Sequence, residues 1–170
     1  ICVAGIDLVS KRHVRPVLDG RLSKNLLKVH NGPFEMAAIV NLGNVVATPL
    51  APAIEDHKFS AETARWESFM VQKDFWTTLK QASKQNLAEI FGPELQMRGR
   101  QSCGVDAKTG RASLGVLSAK KSTITIQSGV GGKKQVRLSL SDGTLELNLG
   151  VTDVRFHLKD HVTPDAAVVS

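Results

Sequence analysis

Apolar positions along the chain repeat at a period of two, then at a helical period, then at two again. Residues 1–9 are almost continuously apolar (Ile-Cys-Val-Ala-Gly-Ile-Asp-Leu-Val), which predicts a strand buried on both faces or a barrel strand, with Gly5 as a bend or close approach. After the polar turn Ser10-Lys11-Arg12, residues 13–17 alternate and meet Pro16. A proline brings no N–H to a ladder, so this second strand is expected at an edge or to end there. Asp19-Gly20 and Asn31-Gly32-Pro33 are turn signals on either side of Leu26, Leu27 and Val29. Residues 34–46 read as a strand pair, Ala37 to Val40 with Val45-Val46, interrupted at Gly43-Asn44.

Residues 61–91 change period. Trp66, Phe69, Met70, Lys73 and Trp76 fall on one helical face, and Phe75, Leu79 and Ala82 on another, which predicts two helices or a broken one. Ser60 and Asp74 are candidate N-caps. Asn86 is a third, for a short turn running to Phe91 and closed by Gly92-Pro93. The two tryptophans read as core packing between the helices and a sheet. From Arg111 the period returns to two, with candidate strands at 112–118, 123–127, 135–140 and 144–149. Leu138, Leu140, Leu145, Leu147 and Leu149 alternate with Ser139, Ser141, Glu146 and Asn148 around Asp142-Gly143, a type I′ hairpin signal.

The blocks therefore predict a mainly β fold, α+β by content: two small barrels bridged by a helical segment. The lobes are expected at 1–59 and 98–160, the bridge at 60–97 and a flexible tail at 161–170. The sequence opens at Ile1 without a Met, and residues 1–9 are too few for a signal peptide with no basic segment before them, so a longer protein is expected around this stretch.

Charge locates a candidate surface. The net charge is +6 over 170 residues, with 42% hydrophobic and 22% charged residues, a folded-domain profile without an apolar run long enough for a membrane span. Residues 98–137 hold nine lysines and arginines against the single acid Asp106, whereas residues 138–170 hold two bases against five acids. Such a stretch suits an acidic partner. Cys2 and Cys103 are far apart and lack metal spacing, which fits a reducing cytoplasm and no metal or cofactor.

Several phrases, taken in order, resemble the dual OB-containing domain family of bacterial and archaeal proteins. They are CVAGID with HVRPV, NGPFEMAAIVNL, AIEDHKF, RASLGVL and GGKKQVRLSLSDGTLELNLGVTD, together covering about residues 1–160. An aromatic commonly precedes Val-Arg-Pro in that family; this chain has His13. The resemblance implies two OB folds, an association with nucleic acid, single-stranded or structured, and a place as an accessory domain of a nucleic-acid-processing or defence protein. It brings no reaction.

An OB surface that binds single strands pairs a basic groove with flat side chains. The candidate cations are Lys11, Arg12 and Arg15 in the first lobe, and Arg98, Arg100, Lys120, Lys121, Lys133, Lys134 and Arg137 in the second; each also reads as a solvated surface charge. Arg15 is either a phosphate fork or a salt-bridge partner of Asp7 or Asp153. Stacking groups are scarce: there is no Tyr, and none of the six Phe and two Trp lies between Arg98 and Asp153. Catalytic readings are weak. Glu55, Asp56 and His57 are adjacent, so on an extended segment they face opposite ways; Cys103 has no identifiable base; and residues 129–134 lack the phosphate-loop pattern. An enzyme is not expected. The alternative is a scaffold that docks a protein partner through residues 61–91.

Overall fold

The computed structural model of the chain describes residues 1–157 and 163–166, and strands dominate it. The expected tail at 161–170 lies mostly outside the described residues. In chain order the strands are β1 (Gly5–Ile6), β2 (His13–Val17), β3 (Ala38–Asn41), β4 (Val46–Ala47), β5 (Asp56–Lys58) and β6 (Arg65–Phe69). The helix α1 (Gln72–Ala82), strand β7 (Ser83–Lys84) and helix α2 (Leu87–Phe91) follow. They lead to β8 (Gln96–Met97), β9 (Cys103–Gly104), β10 (Val116–Leu117), β11 (Lys121–Ser128), β12 (Lys134–Ser141) and β13 (Glu146–Gly150). These strands form five sheets, and no closed barrel is found among the described residues.

In the first half, β1-β2-β5-β4 make one sheet and β3 pairs with β6 in another. Leu22, Phe34, Phe59 and Ala64 are buried between them, with Val3, Leu18, Val40 and Leu42 packed around. Phe34 and Phe59 meet edge to face, ring centroids 5.8 Å apart.

Three expectations fail here for identifiable reasons. The apolar run at 1–9 is a strand only at Gly5–Ile6, after which the Asp7 carboxylate accepts the N–H of Val9 and of Ser10 and turns the chain. Val9 is left 93% exposed at the tip, and Gly5 has open space around it rather than a close neighbour. Pro16 sits inside β2, between β1 and β5. It is tolerated because β1 pairs only with His13 and Val14, so the missing N–H lies beyond the end of β1. The strand pair expected within 34–46 does not form: β3 pairs with β6, and β4 with β5.

The expected helical stretch 61–91 is also corrected. Residues 65–69 are strand, drawn into antiparallel pairing with β3, so a helical face through Trp66 and Phe69 does not exist. Ser60 holds a turn, and α1 starts at Gln72 with Asp74 in its first turn rather than at its cap. The second predicted face is present: Phe75, Leu79 and Ala82 are half-buried together with Thr78. Asn86 caps α2 through Glu89 N–H, and Gly92 closes it with φ 91°.

The second half is built around the antiparallel sheet β11-β12-β13. Of the stretch 112–118, only Val116 and Leu117 pair, in parallel with β7. Register places Val136, Leu138 and Leu140 opposite Ile126, Ile124 and Ser122, with Leu147 and Leu149 on the third strand, so one face is apolar; Val136 and Leu147 are buried. The Asp142-Gly143 hairpin forms, but its turn is not type I′, because only Gly143 of the pair has positive φ, 94°. Instead the buried Asp142 carboxylate accepts N–H groups from Thr144 and Leu145, both at 2.8 Å, and from Leu87 at the start of α2, at 2.9 Å. Burial pushes this carboxyl up, yet the three backbone donors outweigh it and hold it below the usual carboxylate range.

A second buried carboxylate ties the halves together: Glu55 accepts the N–H and hydroxyl of Ser113 at 2.9 and 3.0 Å. No helix among the described residues is long and apolar enough to cross a membrane.

Candidate nucleic-acid interface

The face of the β11-β12-β13 sheet opposite its apolar side carries Thr123, Thr125 and Gln127 on β11, Gln135, Arg137 and Ser139 on β12, and Asn148 on β13. The loop between β8 and β9 lies against this sheet, since Asn148 N–H donates to the Gln101 carbonyl at 3.0 Å. Together they enclose an open groove of about 510 Å³, lined by Gln101, Ser102, Gln127, Ser128, Gly129, Val130, Gln135, Arg137 and Asn148.

Arg137 is fixed in this groove. Its Nε donates to Asn148 Oδ1 at 2.7 Å and its Nη2 to the Asn148 carbonyl at 2.6 Å. Both acceptors are neutral, so the guanidinium is oriented without being neutralised, and three of its five N–H groups stay available. One glycine makes room here: a Cβ on Gly129 would stand 2.8 Å from the Gln135 amide and displace it, whereas one on Gly150 would sit in ordinary contact, 3.5 Å from Arg137 Nη1.

The other candidate cations divide by what they meet. Arg98 is paired with Asp106. Arg100 is exposed in the loop beside Gln101 and meets no carboxylate among the described residues. Lys133 and Lys134 are exposed where the β11–β12 turn enters β12; neither lines the groove, and Lys134, one residue before Gln135, falls on the opposite face of the sheet. Lys120 and Lys121 stand at the opposite end of β11, roughly 23 Å from that turn at about 3.3 Å per residue. Lys11 and Arg12 are exposed in the β1–β2 turn, on a different sheet, with Lys11 in the left-handed region at φ 58°. Arg15 meets neither Asp7 nor Asp153; its Nε donates to Asp56 Oδ1 at 2.5 Å, which holds Arg15 further into its charged form.

The groups weighed for catalysis have structural partners. Glu55 holds Ser113, Asp56 holds Arg15, and His57 Nδ1 lies 2.8 Å from the Glu55 carbonyl. Burial pushes the Cys103 thiol up, away from a reactive thiolate. Among the described residues no three His, Cys, Asp or Glu side chains come together as a metal site.

Two features escaped the sequence. The groove's neutral floor was hidden because Gln127, Gln135 and Asn148 carry no charge; the strand alternation that reveals the apolar face also defines this one. The tryptophans are not core: Trp66 is 38% and Trp76 53% exposed. A bulge in β6 leaves Glu67 unpaired and brings Trp66 and Phe69 opposite Val40 and Ala38, onto one face, with ring centroids 5.5 Å apart. Lys28 Nζ lies 3.9 Å over the Trp66 ring.

Across nearly its whole length the sequence matches one family description: the model of the dual OB-containing domain covers residues 1–168. The chain belongs to the dual OB-containing domain family. No curated protein and no solved structure matches it. In this dual OB-containing domain the position before Val14-Arg15-Pro16 holds His13, half-buried with Nε2 unpaired. Burial lowers the pKa of its imidazole, so it stands there as a neutral flat ring.

Proposed function

We propose that this dual OB-containing domain is a non-catalytic nucleic-acid-binding module of two OB-like lobes, contacting single-stranded or structured nucleic acid through the groove of its second lobe. It acts as an accessory domain of a larger nucleic-acid-processing or defence protein in a reducing cytoplasm. The observation that carries the reading is how the cations divide. Arg15, Arg98 and Arg155 are spent on Asp56, Asp106 and Asp153, whereas Arg137 lines the groove and meets no carboxylate among the described residues, with Arg100 and Lys133 exposed on the two loops that border it. Unpaired cations around a concavity supply the counterion-releasing contacts that dominate nucleic-acid affinity. Fluorescence anisotropy with single- and double-stranded DNA and RNA at about 50 mM salt tests it: binding should weaken linearly in log salt. Lys133→Glu and Arg137→Glu should each weaken it; binding indifferent to salt and to these changes would remove the proposal.

A second reading has its own observation. Trp66, Phe69 and Trp76 are all more than a third exposed, which favours a docking surface for a protein partner or a second copy. Sedimentation across a range of concentrations, with Trp66→Ala and Trp76→Ala, reads the self-associating form of this idea. A monomer at every concentration excludes the second copy.

A further inference from the structure

Charge and neutral polarity are arranged oppositely to a groove that merely tracks a phosphate backbone. Such a groove has cations along its floor. Here the groove is lined by amides and hydroxyls with a single guanidinium, and Arg100 and Lys133 sit exposed on the two loops that border it. The side-chain amides of Gln101, Gln127 and Gln135 make no hydrogen bond within the protein among the described residues. Gln127 and Gln135 are direct cross-strand partners, so their Cβ atoms stand about 5 Å apart and their amides work as a pair. The Gln135 head lies over Gly129, where any Cβ would displace it. Neither an acid nor an aromatic lines the groove, which argues against a sugar, whose rings are held by stacking and carboxylates, and against binding by base stacking.

From this arrangement we infer that the groove reads unpaired base edges, with a preference for adenine, while the backbone runs along the basic rim. A carboxamide presents one donor and one acceptor side by side, the pattern that adenine answers with N7 and its N6 amino group. Arg137, pinned by Asn148, supplies N–H donors at the floor for a further base or its phosphate. The idea rests on the nucleic-acid reading above and adds to it which part of the ligand enters the groove.

The test uses the full chain with oligo-dA, oligo-dT and oligo-dC of about 12 nucleotides, each titrated across salt. Oligo-dA should bind roughly tenfold more tightly than the pyrimidine strands. Gln127→Ala with Gln135→Ala, both exposed positions, should erase that preference and leave the salt slope unchanged. Arg100→Ala with Lys133→Ala should weaken all three strands alike and lower the slope by about 0.7 per lost contact. Salt-dependent binding without a base preference, or a preference that survives the glutamine changes, overturns the inference and leaves the nucleic-acid proposal standing. Absence of binding to every strand overturns the inference, and overturns the nucleic-acid proposal as well when the double-stranded DNA and RNA probes also fail to bind.

Discussion

Arg15 and Arg137 occupy equivalent settings in the two halves of the molecule and have opposite fates. Each lies on a strand inside a sheet, and each has its Nε held by a side-chain oxygen of the adjacent strand. For Arg15 that oxygen belongs to Asp56, its direct register partner; for Arg137 it belongs to Asn148, a diagonal neighbour. The carboxylate cancels the charge it orients, and the amide orients without cancelling. A basic residue on such a sheet therefore keeps its charge open only where its positioning partner is neutral, and one acid-for-amide difference separates Arg15, whose charge is cancelled, from Arg137, whose charge is not.

The comparison breaks most completely where the second sheet loses its anchor. Asp142→Ala leaves three backbone N–H groups without their acceptor and should cost about 3 kcal/mol in chemical denaturation. Acid should act in the same direction. The folded carboxyl lies below the ordinary 3.8, so its contribution is complete above that pH and is lost as the pH falls through the lower folded value. Asp142→Ala should accordingly show a shallower loss of stability across that acid window than the parent. Next in size is Arg15→Ala, which strands the half-buried Asp56 carboxylate and should cost about 2 kcal/mol while leaving the salt slope of oligonucleotide binding unchanged. If the slope falls, Arg15 belongs to the interface after all.

The comparison is sharpened by making the two arginines alike. Asn148→Asp keeps the Arg137 geometry but supplies a carboxylate; it should weaken binding about tenfold with little change in melting temperature. Unchanged affinity would mean that the Arg137 charge is not used. Smallest of all, Lys121→Ala, at the far end of β11, should change affinity by less than about threefold.

How far these features were legible in the sequence follows from what each depends on. The β12–β13 hairpin was readable because five leucines alternate with polar residues, a signal contained in one short segment. The Asn86 cap was readable for the same reason. The β3–β6 pairing was not. It joins strands 27 residues apart at their first positions, and the aromatics of β6 imitate a helical stripe because the bulge at Glu67 converts a spacing of three into one shared face. Trp66 is exposed because it lies on this two-stranded sheet rather than on a packed helix. Of the site, the cations were visible as a local excess of charge. Which of them remain unpaired depended on Asp56, Asp106 and Asn148, whose proximity only the fold creates, and the glutamines carry no charge to notice.

Asp142 has a dynamic consequence as well as a static one. Its carboxylate is the shared acceptor for Leu87 at the start of α2 and for Thr144 and Leu145 in the hairpin turn. Amides that depend on one acceptor are released by one event. The Leu87, Thr144 and Leu145 protons should thus exchange with solvent deuterium at a common opening free energy, even though 55 residues of chain separate Leu87 from Asp142. The first turn of α2 and the end of the second sheet would then open as one cooperative unit.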